Sequence, residues 1–230
     1  MDELHTTLMR ALGAWRVWVL ELPCDEVVAV LETVLGDARA VSALSDTRPI
    51  SCVDLRAMGR QARAAGMYLI VDNTETTCAG CPAVRLGAHL SYEPLTDDVT
   101  LVGVSKDAQR MLSGLLQQLD ALPELRLERC ALMSDEITAR ANAWHETSDA
   151  AQVVAAYLRC HPRVRSLRYP GLRGDPSFEV AARTLVGGFG PFVDYQLKDQ
   201  PAWVRWEAND TDAREQVMAL EAMLASDTRS

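Results

Sequence analysis

The residues with the clearest capacity for chemistry are Asp72 and the pair Cys78 and Cys81 that follows it. Asp72 comes directly after the apolar run 67–71, which predicts a strand buried on both faces. Ligands of open α/β sheets bind at the carboxyl ends of the strands, so Asp72 is a candidate ligand contact. The same carboxylate could instead only cap nearby backbone amides, and both interpretations stay open.

Cys78 and Cys81 have the C-x-x-C spacing that redox and metal sites use. A structural zinc site normally has a second ligand pair at comparable spacing, and the sequence offers none, because the four histidines also lack metal-ligand spacing. A thioredoxin-like motif would open a helix after the first strand of its unit. We therefore favour chance spacing and expect no metal site, while a redox or metal role stays an alternative.

The elements around Asp72 predict how it is positioned. Leu55, Met58, Ala62 and Ala65 are at helical spacing, and Gly66 supplies a stop for that helix. Upstream, strand-like and helix-like segments alternate at short spacing, and Asp25 is predicted to cap one of the helices. Such alternation predicts an α/β fold with a mainly parallel sheet.

The second half of the chain predicts a change of domain. Ile137, Ala141 and Trp144 suggest a helix that leads out of the first domain, and Ser148 is predicted to cap a separate helix. We therefore divide the chain into residues 1–145 and 146–230.

Several motifs together resemble the Cys/Met-metabolism family of pyridoxal-phosphate enzymes, which includes cystathionine γ-synthase and the cystathionine lyases. The segments that carry the resemblance are Val71-Asp-Asn-Thr74, Leu86-Gly-Ala-His89, His161-Pro-Arg-Val164, Tyr169-Pro-Gly-Leu172 and Gly187-Gly-Phe-Gly190. The resemblance implies an aspartate-aminotransferase-like (type I pyridoxal-phosphate) fold. Residues 1–145 would be an N-terminally truncated large domain, and residues 146–230 a small, shortened α/β C-terminal domain.

The resemblance also implies roles for single residues. Asp72 matches the Asp that pairs with the pyridinium nitrogen of pyridoxal phosphate, and Thr96 matches the Thr of the family's Ser-x-Thr-Lys segment. Arg205 matches the Arg that binds the substrate α-carboxylate. Asp97, however, occupies the position of the lysine that holds the cofactor as an imine, and a carboxylate cannot form one.

These matches and mismatches lead to one leading hypothesis and two alternatives. The leading hypothesis is a catalytically degenerate cystathionine γ-synthase-like protein of transsulfuration metabolism, a pseudoenzyme with a role in assembly or regulation. Its partner would be a second copy or a full-length relative. The first alternative is an active lyase or transferase on cysteine, homocysteine or cystathionine-type substrates. The second is a module that binds pyridoxal phosphate or an amino acid non-covalently through Asp72 and Arg205.

Composition limits the remaining classes of function. The formal net charge is −9, without a basic cluster, which argues against a nucleic-acid partner. No apolar run is long enough to cross a bilayer, and residues 1–5 lack the basic-then-apolar pattern of a signal peptide. We therefore expect a cytoplasmic protein without a membrane partner.

Overall fold

The computed structural model describes residues 3–36 and 40–226. The chain divides into two compact units, one of residues 1–43 and 54–140 and the other of residues 44–53 and 141–230. One helix, α7 (Leu127–Cys160), contributes residues to both. Ser148 lies within this continuous helix, so the prediction that it starts a separate helix is wrong. The predicted division after residue 145 also falls inside α7 and stays a prediction.

The first unit is built on a five-stranded sheet with the strand order β1-β5-β4-β3-β2. Its elements are α1 (Glu3–Leu12), β1 (Arg16–Leu20), α2 (Cys24–Leu35), β2 (Val41–Ser42), α3 (Leu55–Ala64), β3 (Ile70–Asp72), α4 (Thr77–Gly80), β4 (Leu90–Thr96), β5 (Val99–Val104), α5 (Lys106–Met111), α6 (Ser113–Asp120) and the first part of α7. The α/β class is confirmed, but the sheet is mixed rather than mainly parallel. β2, β3 and β4 are parallel, whereas β5 is antiparallel to both β4 and β1. The reason is that β4 and β5 form a hairpin in which Thr96 pairs with Val99.

Alternating side chains of β1 show how the sheet separates two apolar layers. Trp18 and Leu20 pack with α2 and α6 on one side, and Val17 and Val19 pack with α1 and α7 on the other. Because successive side chains of a strand point to opposite faces, this one apolar strand contributes to both layers. The sheet is therefore covered by helices on both faces.

The helix and strand before Asp72 are only partly as predicted. The Asp54 side chain caps α3 by accepting from the Ala57 N–H at 2.9 Å, and Gly66 has a φ of +65°, where glycine is favoured. Met67 is 58% exposed, so the prediction of a buried strand from Met67 to Val71 is wrong for its first part. The Met67 N–H still bonds the Ala62 carbonyl at 2.8 Å, so this residue completes the helix end.

The predicted N-cap at Asp25 is also wrong. The α2 helix begins at Cys24 with Pro23 at the capping position, and no side chain caps it. Asp25 lies inside the first turn, where its negative charge still favours the positive end of the helix dipole.

The second unit contains a three-stranded antiparallel sheet with the order β6-β7-β8. Its elements are β6 (Val164–Arg168), α8 (Phe178–Thr184), β7 (Phe192–Leu197), β8 (Trp203–Glu207), α9 (Ala213–Ser226) and the second part of α7. Buried side chains of α7, β7 and α9 form its core, among them Val154, Leu158, Val193 and Leu220. In the segment 44–53, Leu44 and Cys52 form an isolated antiparallel bridge. Across residues 3–36 and 40–226, no helix combines the length and apolar character that crossing a bilayer requires.

Candidate functional site

A cavity of about 350 Å³ lies in the first unit beside the carboxyl end of β3. It is lined by Val28, Leu31, Glu32 and Leu35 of α2, by Ala40 before β2, by Ile70 and Asp72 of β3, and by Tyr92 of β4. Asp72 and Tyr92 are direct neighbours in the parallel ladder of β3 and β4. The apolar face of α2 and two adjacent strands therefore place a carboxylate and a phenol in one concave site.

Asp72 takes part in local capping and also lines this cavity. Its Oδ1 atom accepts from the Thr74 backbone N–H at 3.0 Å. Burial, followed by the charge of Asp72, raises the pKa of Tyr92 well above its usual range. Burial and then the same charge raise the pKa of the Cys24 thiol to about 11, so this thiol is protonated near neutral pH. The local capping of amides and a ligand contact are thus compatible roles for Asp72.

The charged groups of this cavity are all acidic among the described residues. Glu32 and Asp72 are the only charged side chains in the lining, and the charged residues of α2 are Asp25, Glu26 and Glu32. β3 and β4 contain no Lys or Arg. The described lining of the cavity therefore carries only negative charge.

These residues do not fit pyridoxal phosphate. Asp72 could meet a protonated ring nitrogen, but the phosphate group needs donors such as a helix N-terminus or Arg, and covalent attachment needs an amine. The described lining supplies neither Lys nor Arg, and it places Glu32 at the exposed rim. A phosphate dianion bound here would lie near the Glu32 carboxylate instead of near hydrogen-bond donors.

Thr96 and Asp97, the other residues of the resemblance in this unit, lie at the turn between β4 and β5. The Thr96 hydroxyl donates to Asp98 Oδ1 at 2.7 Å, and Arg129 donates to the same carboxylate at 3.1 Å. These hydrogen bonds, that of Thr96 first, lower the pKa of Asp98. Asp97 itself is exposed. Because β3 and β4 are parallel, Asp72 and Asp97 both follow strands that end at the same edge of the sheet.

Both lysines of the chain are exposed. Lys106 is the first residue of α5 and follows β5, which ends beside the beginning of β4 because Val104 pairs with Leu90. Lys106 therefore follows the end of the hairpin opposite to Asp97. Lys198 comes directly after β7 in the second unit.

Arg205, the predicted ligand of a substrate carboxylate, already binds a carboxylate of this chain. Its Nε and Nη2 atoms donate to the two oxygens of Asp194 at 2.8 and 2.9 Å, and Asp194 is fully buried. The guanidinium also donates to the carbonyl oxygens of Asp46 and Thr47, at 3.3 and 3.1 Å. Its substrate-binding role stays a prediction, and a substrate carboxylate would have to compete with these partners.

The C-x-x-C pair belongs to a buried polar cluster that the sequence analysis did not identify. Cys78 and Cys81 are buried thiols at α4, next to Asn73, whose amide donates to Glu93 Oε2 at 2.8 Å and to the Cys81 carbonyl at 3.1 Å. Burial raises the pKa of both the Glu93 carboxyl and the Cys78 thiol, so the thiol is protonated at neutral pH and Cys78 is a poor nucleophile. The signal for Glu93 was a single charge inside the otherwise uncharged strand β4.

No metal centre accompanies these thiols among residues 3–36 and 40–226. The described His, Cys, Asp and Glu side chains do not form a group of three or more that could hold a metal ion. A redox role for Cys78 and Cys81 stays an open alternative.

The fold is similar to that of solved γ-lyase structures. The structure superposes on crystal structures of CalE6 from Micromonospora echinospora, described as a methionine γ-lyase in its apo form and as a cystathionine γ-lyase in another structure. The apo structure gives a TM-score of 0.74 at 17% sequence identity and covers 97% of this chain and 84% of the other. At this identity the likeness concerns the fold alone.

Sequence comparison finds similarity to the Cys/Met-metabolism family. A profile described as "Cys/Met metabolism PLP-dependent enzyme" matches residues 136–220. The chain is 27% identical to cystathionine γ-synthase of Mycobacterium leprae over 91% of its length, and 29% identical to a putative cystathionine γ-lyase of Streptomyces coelicolor over 71%. It covers 55% and 44% of these relatives, so it spans about half of their length. These matches support the assignment of the chain to the family that the motifs indicated.

Proposed function

We propose that this chain is a catalytically degenerate relative of cystathionine γ-synthase-like enzymes, with a role in assembly or regulation of transsulfuration-type metabolism. Family-level similarity supports the metabolic context. The main support for this proposal is Asp97. It is an exposed carboxylate at the hairpin position where the resemblance predicts the cofactor lysine. The acidic cavity at Asp72 is a second support, because its described lining offers no cation to a phosphate group.

The assembly or regulatory part of the proposal depends on what the chain retains. Buried apolar layers cover both faces of the first sheet, which supports a fold that does not depend on an imine-forming lysine. Family members form their sites between subunits according to the resemblance, and a catalytically silent subunit can still pair with a second copy or with an active relative.

The test of lost catalysis is the absorbance spectrum of the purified chain with added pyridoxal phosphate, before and after borohydride reduction. We expect no imine band and no reduced adduct on any peptide by mass spectrometry. Lys106→Arg and Lys198→Arg are matched variants that keep the positive charge. A reducible band that disappears in either variant would refute the proposal and identify the lysine that reacts.

The test of the assembly role is sedimentation velocity of the chain, alone and mixed with a full-length family enzyme from the same organism. We expect either self-association or a mixed complex. A chain that stays monomeric in both experiments contradicts this part of the proposal and leaves the catalytic part standing.

A further inference from the structure

The cavity between α2, β3 and β4 has the charge of a cation site. Asp72 lies within it and is half-buried, and Glu32 lies at its exposed rim. The lining residues whose charge raises the pKa of Tyr92 are both carboxylates, Asp72 and Glu32. No described basic side chain lines the cavity, so a bound cation would not compete with a lysine or arginine there.

The Asp72 carboxylate has acceptor capacity left for a ligand. A carboxylate offers about four acceptor positions. The Thr74 N–H uses one, which leaves the others for a ligand. Tyr92 is 8% exposed and lines the cavity, so its ring can also attract a cation placed against its face. An N–H donor with a positive charge matches both features.

The remainder of the lining is aliphatic. Val28, Leu31 and Leu35 come from one face of α2, and Ile70 comes from β3. The volume of about 350 Å³ is near the lower end of roughly 300–1,000 Å³ for small-molecule sites. A hydrated metal ion would leave these apolar walls without a contact, whereas an apolar ligand body would cover them.

We propose that this cavity binds a small organic ammonium ion, a primary amine on an apolar body, with the ammonium group on Asp72 and the body against α2. The proposal goes beyond the proposed function, because it concerns a ligand that needs neither an imine nor a phosphate site.

The experiment compares three probes of one shape by isothermal titration of the full chain: hexylammonium, 1-hexanol and hexanoate. We expect one hexylammonium ion per chain, bound about tenfold more tightly than 1-hexanol, because a charged hydrogen bond to a carboxylate is stronger than a neutral one. Hexanoate should not bind measurably. The Asp72→Asn variant should remove the preference for hexylammonium over 1-hexanol.

Two variants on α2 separate the cavity from general surface charge. Glu32→Lys places a competing ammonium group at the exposed rim and should abolish hexylammonium binding without disturbing the core. Glu26→Gln removes an exposed charge of the same helix outside the lining and should leave binding unchanged. Circular dichroism checks that each variant is folded.

Several results would overturn the proposal. These are equal affinity for 1-hexanol and hexylammonium, no binding of hexylammonium at millimolar concentration, or an unchanged preference in Glu32→Lys. If Asp72→Asn does not fold, the result with Glu32→Lys alone decides whether the cavity binds hexylammonium. A spectrum with pyridoxal phosphate does not affect this result, so the two proposals can fail independently.

Discussion

The ion pair between Arg205 and Asp194 allows a quantitative test of how the second unit is held together. The Arg205 side chain is 12% exposed and the Asp194 side chain 0%, and Asp194 also accepts from the Ile50 N–H at 2.6 Å. We consider the variants Asp194→Leu and Arg205→Met and their double variant. Each single change leaves one charge buried without its partner, which costs about 3–5 kcal/mol.

The double variant should lose less than the sum of the two single changes. Replacing both charges by apolar groups removes the buried-charge penalty, and what remains is mainly the unmet Ile50 N–H and the two carbonyl groups that Arg205 binds. The buried Ile50 N–H costs about 1–3 kcal/mol when left without a partner, whereas the carbonyl groups belong to the exposed residues Asp46 and Thr47 and can bond water. We therefore expect a coupling energy of at least about 3 kcal/mol between the two positions.

The assay is equilibrium unfolding in urea at neutral pH, with the free energy of unfolding taken by linear extrapolation. Asp199→Ala is the matched control, because Asp199 pairs with Arg163 at 3.0 Å in the same unit but is 58% exposed, and exposed pairs contribute less than about 1 kcal/mol. Additive single changes, with coupling below about 0.5 kcal/mol, would refute the reasoning. Arg205 would then be available to a substrate carboxylate at little cost.

Three further predictions concern single side chains. Burial raises the pKa of Glu93 above its ordinary 4.5, so the folded state holds a proton that the unfolded state releases, and stability should fall as pH rises from about 4.5. As pH rises, the midpoint of urea unfolding should fall less in Glu93→Gln than in the control Glu26→Gln. An equal fall in the two variants would contradict this prediction. Gly59→Ala should destabilise by about 1–3 kcal/mol, because the new Cβ would lie 2.7 Å from the Gly87 carbonyl oxygen. Gly114→Ala, with nothing within 4 Å, should instead stabilise by up to about 1 kcal/mol, and equal thermal shifts for the two variants would exclude this explanation. Tyr169→Phe should cost about 1 kcal/mol, since its hydroxyl lies 3.0 and 3.2 Å from two buried carbonyl oxygens, and an unchanged melting temperature would disprove this.

Local patterns of the sequence were sufficient for part of the fold. The helical spacing of Leu55, Met58 and Ala62 and the stop at Gly66 predict α3 as found, because an amphipathic helix is specified by its own residues. The direction of β5 was not predictable in this way. Its orientation depends on the two-residue turn at Asp97 and Asp98, where the resemblance indicated a cofactor segment in place of a hairpin.

The candidate site was predictable only at Asp72. The apolar run predicts a strand, and ligands of open α/β sheets bind at the carboxyl ends of the strands, so the Asp that follows the run is a candidate. Glu32 is far from it in sequence and is polar on a helix surface, so only packing of α2 over the sheet shows that it shares the cavity. The partner of Arg205 was hidden for the same reason, since Asp194 lies on a neighbouring strand and its register is set by sheet pairing.

The segment 44–53 has a consequence for how this chain can be divided. Its residues are grouped with the second unit, although they precede β3, β4 and β5 in the chain. No single cut yields the second unit as a contiguous fragment, because a fragment beginning at residue 141 lacks the Ile50 N–H that Asp194 binds. We therefore expect no independently stable second unit when the chain is divided between residues 140 and 141. This holds for fragment expression, for limited proteolysis and for gene fusion at that position. Adding residues 44–53 as a separate peptide should restore a stable second unit.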